Sequence, residues 1–162
     1  MDEISTLLDL LTSRSLDTEE LDEAAAYVRN SPEDPELEWA GDSRSIMTFA
    51  ICNTLSDFVA TSDKIDELHE QIEAFFSNPI PPFPADDPEV QKSSFAYFRW
   101  LDSILAQRAP EKGGYELLSV NPGLDDNLYV VVVDRCDTER ILELANALDL
   151  NIYRENGVEH WQ

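Results

Sequence analysis

Leu128-Tyr129-Val130-Val131-Val132-Val133 is an apolar hexamer with four valines in succession. β-Branched residues fit the pleated strand, and a run without polar alternation predicts a strand covered on both faces. Tyr115-Glu-Leu-Leu-Ser-Val120 reads as a second strand, and Asn121-Pro-Gly-Leu-Asp-Asp-Asn127 between the two supplies turn residues. Asp137 is expected to cap a helix bearing Ile141, Leu144, Ala145 and Leu148, and Leu150-Asn-Ile-Tyr153 to form a last short strand. The C-terminal part is therefore a β-β-α-β unit over residues 113–156. Its crossover from the valine strand to the last strand is expected to be right-handed.

Upstream of this unit the apolar period changes from strand to helix. Ile4, Leu7, Leu8 and Leu11 share one helical face, and Asp17 with Glu20 opens a capping-box-like second helix striped by Leu21, Ala24, Ala25 and Val28. Pro32 and Pro35 end it. Residues 43–61 read as one helix, apolar nearly all round, which predicts a central buried position. A fourth helix is expected from Ser62 or Asp63, with Ile65, Leu68, Ile72, Phe75 and Phe76 on its stripe. Asn78-Pro-Ile-Pro-Pro-Phe-Pro84 is too rich in proline for helix or central strand and reads as an extended strap that pins Ile80 and Phe83 to the core. Asp87-Pro88 starts a fifth helix through Val90, Tyr97, Phe98, Leu101 and Leu105. The fold class expected is α+β: a helical N-terminal two-thirds, residues 1–110, packed on a small C-terminal β-β-α-β sheet. Residues 1–162 are expected to form a single domain, because a sheet this small needs helices to cover it.

Charge is the extreme feature: 34 Asp and Glu against 11 Lys and Arg, a formal net charge of −23. Nucleic acid binding needs cationic side chains to release counterions, and an anionic membrane surface repels acidic protein, so neither is an expected partner. A basic protein would be attracted and captured quickly. The N-terminus, Met1-Asp2-Glu3, lacks the basic start of a signal peptide, and no apolar stretch approaches the roughly 20 residues of a membrane span, so a cytoplasmic location is expected. Cys52 and Cys136 read as buried free thiols.

With five glycines and two histidines, the sequence holds no phosphate-cradling loop, nucleophile elbow or His-Glu-x-x-His motif, and it calls for no cofactor. Asp66, His69 and Glu73 share a helix face and would be the ligands if the chain were a metal-dependent hydrolase. A solvated acidic face is the plainer reading, and no bound metal is expected. The oxygens of Asn121, Asp125, Asp126 and Asn127 read as turn chemistry, since EF-hand spacing is absent.

Acidity is concentrated in residues 1–42, which hold 13 acids and two arginines, a net −11 in about a quarter of the chain. Within it, the loop Ser31-Pro-Glu-Asp-Pro-Glu-Leu-Glu-Trp-Ala-Gly-Asp42 rings one tryptophan with carboxylates. Glu33, Asp34, Glu36, Glu38, Trp39 and Asp42 are accordingly the candidate partner-binding residues, with Trp39 as an aromatic anchor. The alternative is a connection whose Trp39 packs back on the core.

The stretch from Tyr115 through the valine run to Ile-Leu-Glu-Leu-Ala-Asn-Ala-Leu-Asp-Leu-Asn-Ile-Tyr153, about a quarter of the chain, resembles the C-terminal unit of small acidic bacterial α+β proteins of unassigned function. In size and charge such proteins resemble immunity proteins, which neutralise secreted bacterial toxins. The resemblance implies a non-enzymatic inhibitor that fills a basic site on its target. An acidic housekeeping or regulatory domain is the remaining alternative.

Overall fold

The computed structural model describes residues 1–158. Residues 159–162, including His160 and the end of the expected domain, lie outside the described residues. Seven α-helices and four strands are described: α1 (Glu3–Leu11), α2 (Thr18–Asn30), α3 (Ser43–Thr54), β1 (Ala60–Ser62), α4 (Ile65–Glu73), α5 (Pro88–Gln91), α6 (Ser94–Leu105), β2 (Tyr115–Val120), β3 (Leu128–Asp134), α7 (Thr138–Ala147) and β4 (Ile152–Arg154). The fold is α+β, with most helices preceding the β2–β3 hairpin.

The strands form one sheet in the order β1-β3-β2-β4, with every neighbouring pair antiparallel. Because side chains alternate along a strand, consecutive valines serve opposite cores. Val131, Val133, Leu118 and Val120 pack with leucines of α1, α2 and α7 and with Ile46, Ala50 and Ile51 of α3. Val130, Leu117 and Ala60 pack on the other side with Leu68 and Ile72 of α4 and Tyr97, Phe98, Leu101 and Leu105 of α6. Helices thus cover both faces, as the unbroken apolar run required. β3 and β4 each run antiparallel to the intervening β2, so they are parallel to one another and α7 makes the crossover between them.

Several local expectations are revised. The helix read over 43–61 ends at Thr54. The chain then makes a 3-10 turn at Ser56–Phe58 and joins the sheet as β1, pairing Ala60 with Val130 and Ser62 with Leu128. The fourth helix begins at Ile65, because the Ser62 hydroxyl accepts the Lys64 amide at 3.0 Å and donates to Glu67, holding the start in a turn. Phe75 and Phe76 follow its end but still pack on the α4–α6 core. The fifth helix is two helices. Ser93 sits in extended backbone, and its hydroxyl accepts the Ala96 amide at 3.1 Å, an N-cap that restarts the helix after the short α5. Asp137 does not cap α7 with its side chain; its carboxylate instead accepts from Arg14, which is 123 residues earlier. Cys136 is exposed rather than buried, while Cys52 is buried and its thiol donates to Val120 O at 3.2 Å.

Other expectations match the structure. The capping box of α2 is complete: Asp17 accepts the Glu20 amide at 2.8 Å, and Glu20 accepts the Asp17 amide at 3.1 Å. The proline strap lies over α4 and α6 with Ile80 buried, and Arg108 donates to the carbonyls of Asn78 and Pro79.

Candidate functional site

The loop between α2 and α3 is ordered by its own side chains. It makes two 3-10 turns, Ser31–Glu33 and Pro35–Ala40, instead of an irregular connection. Leu37 and Ala40 are buried in the α1–α2–α3 core and fix the loop from beneath. Asp34 accepts the Glu36 amide at 2.9 Å and so caps the second turn. Gly41, at φ 103°, reverses the backbone where a β-carbon would be strained, and Asp42 then caps α3 by accepting the Ser45 amide at 2.9 Å. That bond holds the Asp42 carboxyl below the usual carboxylate range.

The six residues singled out in the sequence therefore divide by role. Asp34 and Asp42 are helix caps. Glu33, Glu36 and Glu38 are exposed and make no ion pair among the described residues. Trp39 is 63% exposed, and its ring meets Phe49 of α3 edge-on, with centroids 5.0 Å apart and planes at 75°. Edge-to-face contact favours a defined ring orientation. Trp39 neither sinks into the core nor swings free. It is presented at the surface among carboxylates.

The rival trio does not assemble. His69 is fully buried, with both ring nitrogens engaged. The Pro81 carbonyl can only accept, so Nε2–H donates to it at 2.9 Å, and in the neutral imidazole Nδ1 accepts from the Tyr97 hydroxyl at 2.8 Å. Glu73 lies 3.4 Å from Nε2, while Asp66 faces solvent. His69 thus joins strap to helix, and Phe83, Tyr97 and Trp100 surround it at centroid distances of 5.6–5.9 Å. Among the described residues no group of three or more His, Cys, Asp or Glu is placed to hold a metal ion. In the β2–β3 turn, Asn121 accepts the Gly123 amide, and Asp125 accepts from the Asn127 amide and the Tyr129 hydroxyl, so those oxygens serve the turn.

Glu116 and Asp134, two of the three buried carboxylates among the described residues, carry no mark in the sequence. Glu116 on β2 is 3% exposed and is held by Arg135 at 3.3 Å and Arg154 at 3.4 Å. Asp134, at the end of β3, accepts from Ser13 at 3.3 Å and pairs with Lys112 at 3.5 Å. Both are compensated structural charges. No sequence signal marks them, since their partners lie on other elements.

Fold and surface define a class: an acidic α+β protein with helices on both faces of a four-stranded antiparallel sheet and a braced, exposed tryptophan on its acidic N-terminal part. No family model matches the chain, and no curated protein or solved structure matches it. Among the described residues no helix is long and apolar enough to cross a membrane.

Proposed function

We propose that the chain is a non-enzymatic binding protein that docks a basic site of a protein partner through the 33–42 loop. In its most specific form it is an immunity-type inhibitor of a bacterial toxin, whose cleft it would fill with carboxylates in place of substrate phosphates. The observation that carries the proposal is Trp39, exposed yet oriented by Phe49, with Glu33, Glu36 and Glu38 near it in sequence, exposed and without an ion pair among the described residues. A rigid aromatic costs little conformational entropy to bury, and a surrounding ring of charge speeds encounter with a cationic surface.

The test is kinetic, against the protein that co-purifies with the chain from its native host. Reversing Glu33, Glu36 and Glu38 to lysine should slow association at least tenfold and flatten its salt dependence. Trp39→Ala should chiefly speed dissociation. Asp34 and Asp42 are left intact because they cap. If both variants bind like the parent, the loop is a solvated connection and its charge serves solubility.

A further inference from the structure

A second surface feature, away from the tryptophan loop, lies where the sheet is left incomplete. β1 stops at Ala60, opposite Val130, while β3 runs on to Asp134. The register of β2 on β3 places Gly114 opposite Arg135, and the Arg135 amide donates to the Gly114 carbonyl at 2.9 Å. That bond sets the phase of the antiparallel ladder, in which hydrogen-bonded pairs alternate. Val133 and Val131 exchange bonds with β2. Val130 and Val132 turn their amides and carbonyls the other way. Ala60 meets those of Val130; those of Val132 have no partner among the described residues.

The gap beside Val132 is open because the chain leaves the sheet direction at Phe58, in the 3-10 turn before β1. It forms a notch of about 440 Å³, with Phe58, Phe75, Phe76 and Tyr115 contributing to its walls. Lys112, also at the notch, is already engaged by Asp134 at 3.5 Å and stands over the Tyr115 ring. Ser15, Asp57 and Phe58 border a second groove of about 370 Å³ as well, which Glu20 and Glu23 line. Glu23 and Asp57 have no ion pair among the described residues. An unsatisfied backbone pair, an aromatic pocket and an acidic trough are therefore continuous.

We infer that this edge of β3 docks an extended, basic segment of a partner polypeptide. Its backbone pairs with Val132, an apolar side chain enters the aromatic notch, and a cationic side chain reaches Glu20, Glu23 and Asp57. Strand addition is how an open sheet edge recognises a peptide: main-chain bonds supply affinity and alternate side chains supply specificity. A small apolar ligand would fill the notch but leave the Val132 amide and carbonyl unpaired. The inference rests on the proposed reading for the class of partner, a basic polypeptide, and not on the Trp39 loop.

The probe is a synthetic capped peptide of alternating Lys and Val, titrated into the ¹⁵N-labelled full chain. The Val132 amide resonance should shift with saturation. Two further peptides carry N-methyl groups, on every valine in one and on every lysine in the other. Successive strand amides point to opposite edges, so one pattern should weaken binding at least tenfold and the other should not. A Glu/Val peptide should bind at least tenfold more weakly than the Lys/Val peptide, as should the Lys/Val peptide to a Glu23→Lys, Asp57→Lys chain. The inference is overturned if the Val132 amide does not shift, if the two methylation patterns act alike, or if reversing charge has no effect. Trp39→Ala should leave peptide binding unchanged, so failure here and failure of the tryptophan loop are read separately.

Discussion

Trp39 and Phe49 meet edge to face at 5.0 Å, yet most of the tryptophan remains in water. An aromatic pair of this kind contributes about 0.5–1.5 kcal/mol beyond burial, and little of Trp39 is buried. Trp39→Ala should therefore lower stability by only about 1 kcal/mol, a few degrees in Tm for a chain of this size. Thermal unfolding checks this. A loss above about 3 kcal/mol would make Trp39 a core residue and remove it as a free anchor.

The doubly covered strand is tested by charge. Val131 is fully buried between α-helices and sheet, whereas Val132 is half-buried at the notch. Val131→Asp should cost about 3 kcal/mol or more, because a carboxylate there has neither water nor partner. Val132→Asp should cost clearly less. Urea unfolding of the two variants gives the order; equal losses would contradict the half-burial of Val132 at the notch.

His69 ties the strap to α4 and α6 through the Tyr97 hydroxyl. Tyr97→Phe keeps the ring but leaves His69 Nδ1 buried without a partner, at an expected cost of about 1–3 kcal/mol. A variant within about 0.5 kcal/mol of the parent would show that the hydroxyl contributes nothing to holding the strap.

Alkaline pH should weaken the fold. Burial pushes the Cys52 thiol up from 9.0 to about 12, and burial together with Asp125 pushes the Tyr129 phenol up from 10.0 to about 12. Burial, then Glu73, also raises Tyr97. In each case the unfolded chain releases its proton first. The stabilisation is complete below pH 9 and is lost as pH rises from 9 towards 12. Melting temperature measured from pH 8 to 12 should fall above 9, and Cys52→Ala should move the onset towards 10. A flat profile would mean the thiol and phenol are not withdrawn from water.

Residues with local partners were legible in the sequence, and those with distant partners were not. The valine run announced a strand buried on both faces, and Asp17 with Glu20 announced a helix start, because each signal is complete within a few residues. β1 was hidden because Phe58 continues the helical stripe of α3 and the strand is only three residues long; pairing with β3 decides it. The break at Ser93 was masked by an apolar stripe that continues from α5 into α6. Asp137 resembled a cap until Arg14 claimed it from across the fold. Pro32 and Pro35 marked the connection between α2 and α3, where the structure makes two 3-10 turns. The connection's division into caps and free carboxylates depends on which amides face Asp34 and Asp42. The notch at Val132 is built from five separated segments, so no sequence window contains it.

The proposed function stands or falls on what touches Trp39 in the cell. A photo-crosslinking amino acid placed at position 39, and in a parallel strain at the exposed Asn146 on α7, reports that contact directly in the native host. One basic polypeptide is expected to crosslink from position 39, diminished by added salt and absent from position 146. Equal crosslinking from both positions, no crosslinked protein from position 39, or an acidic partner there would contradict the proposed function.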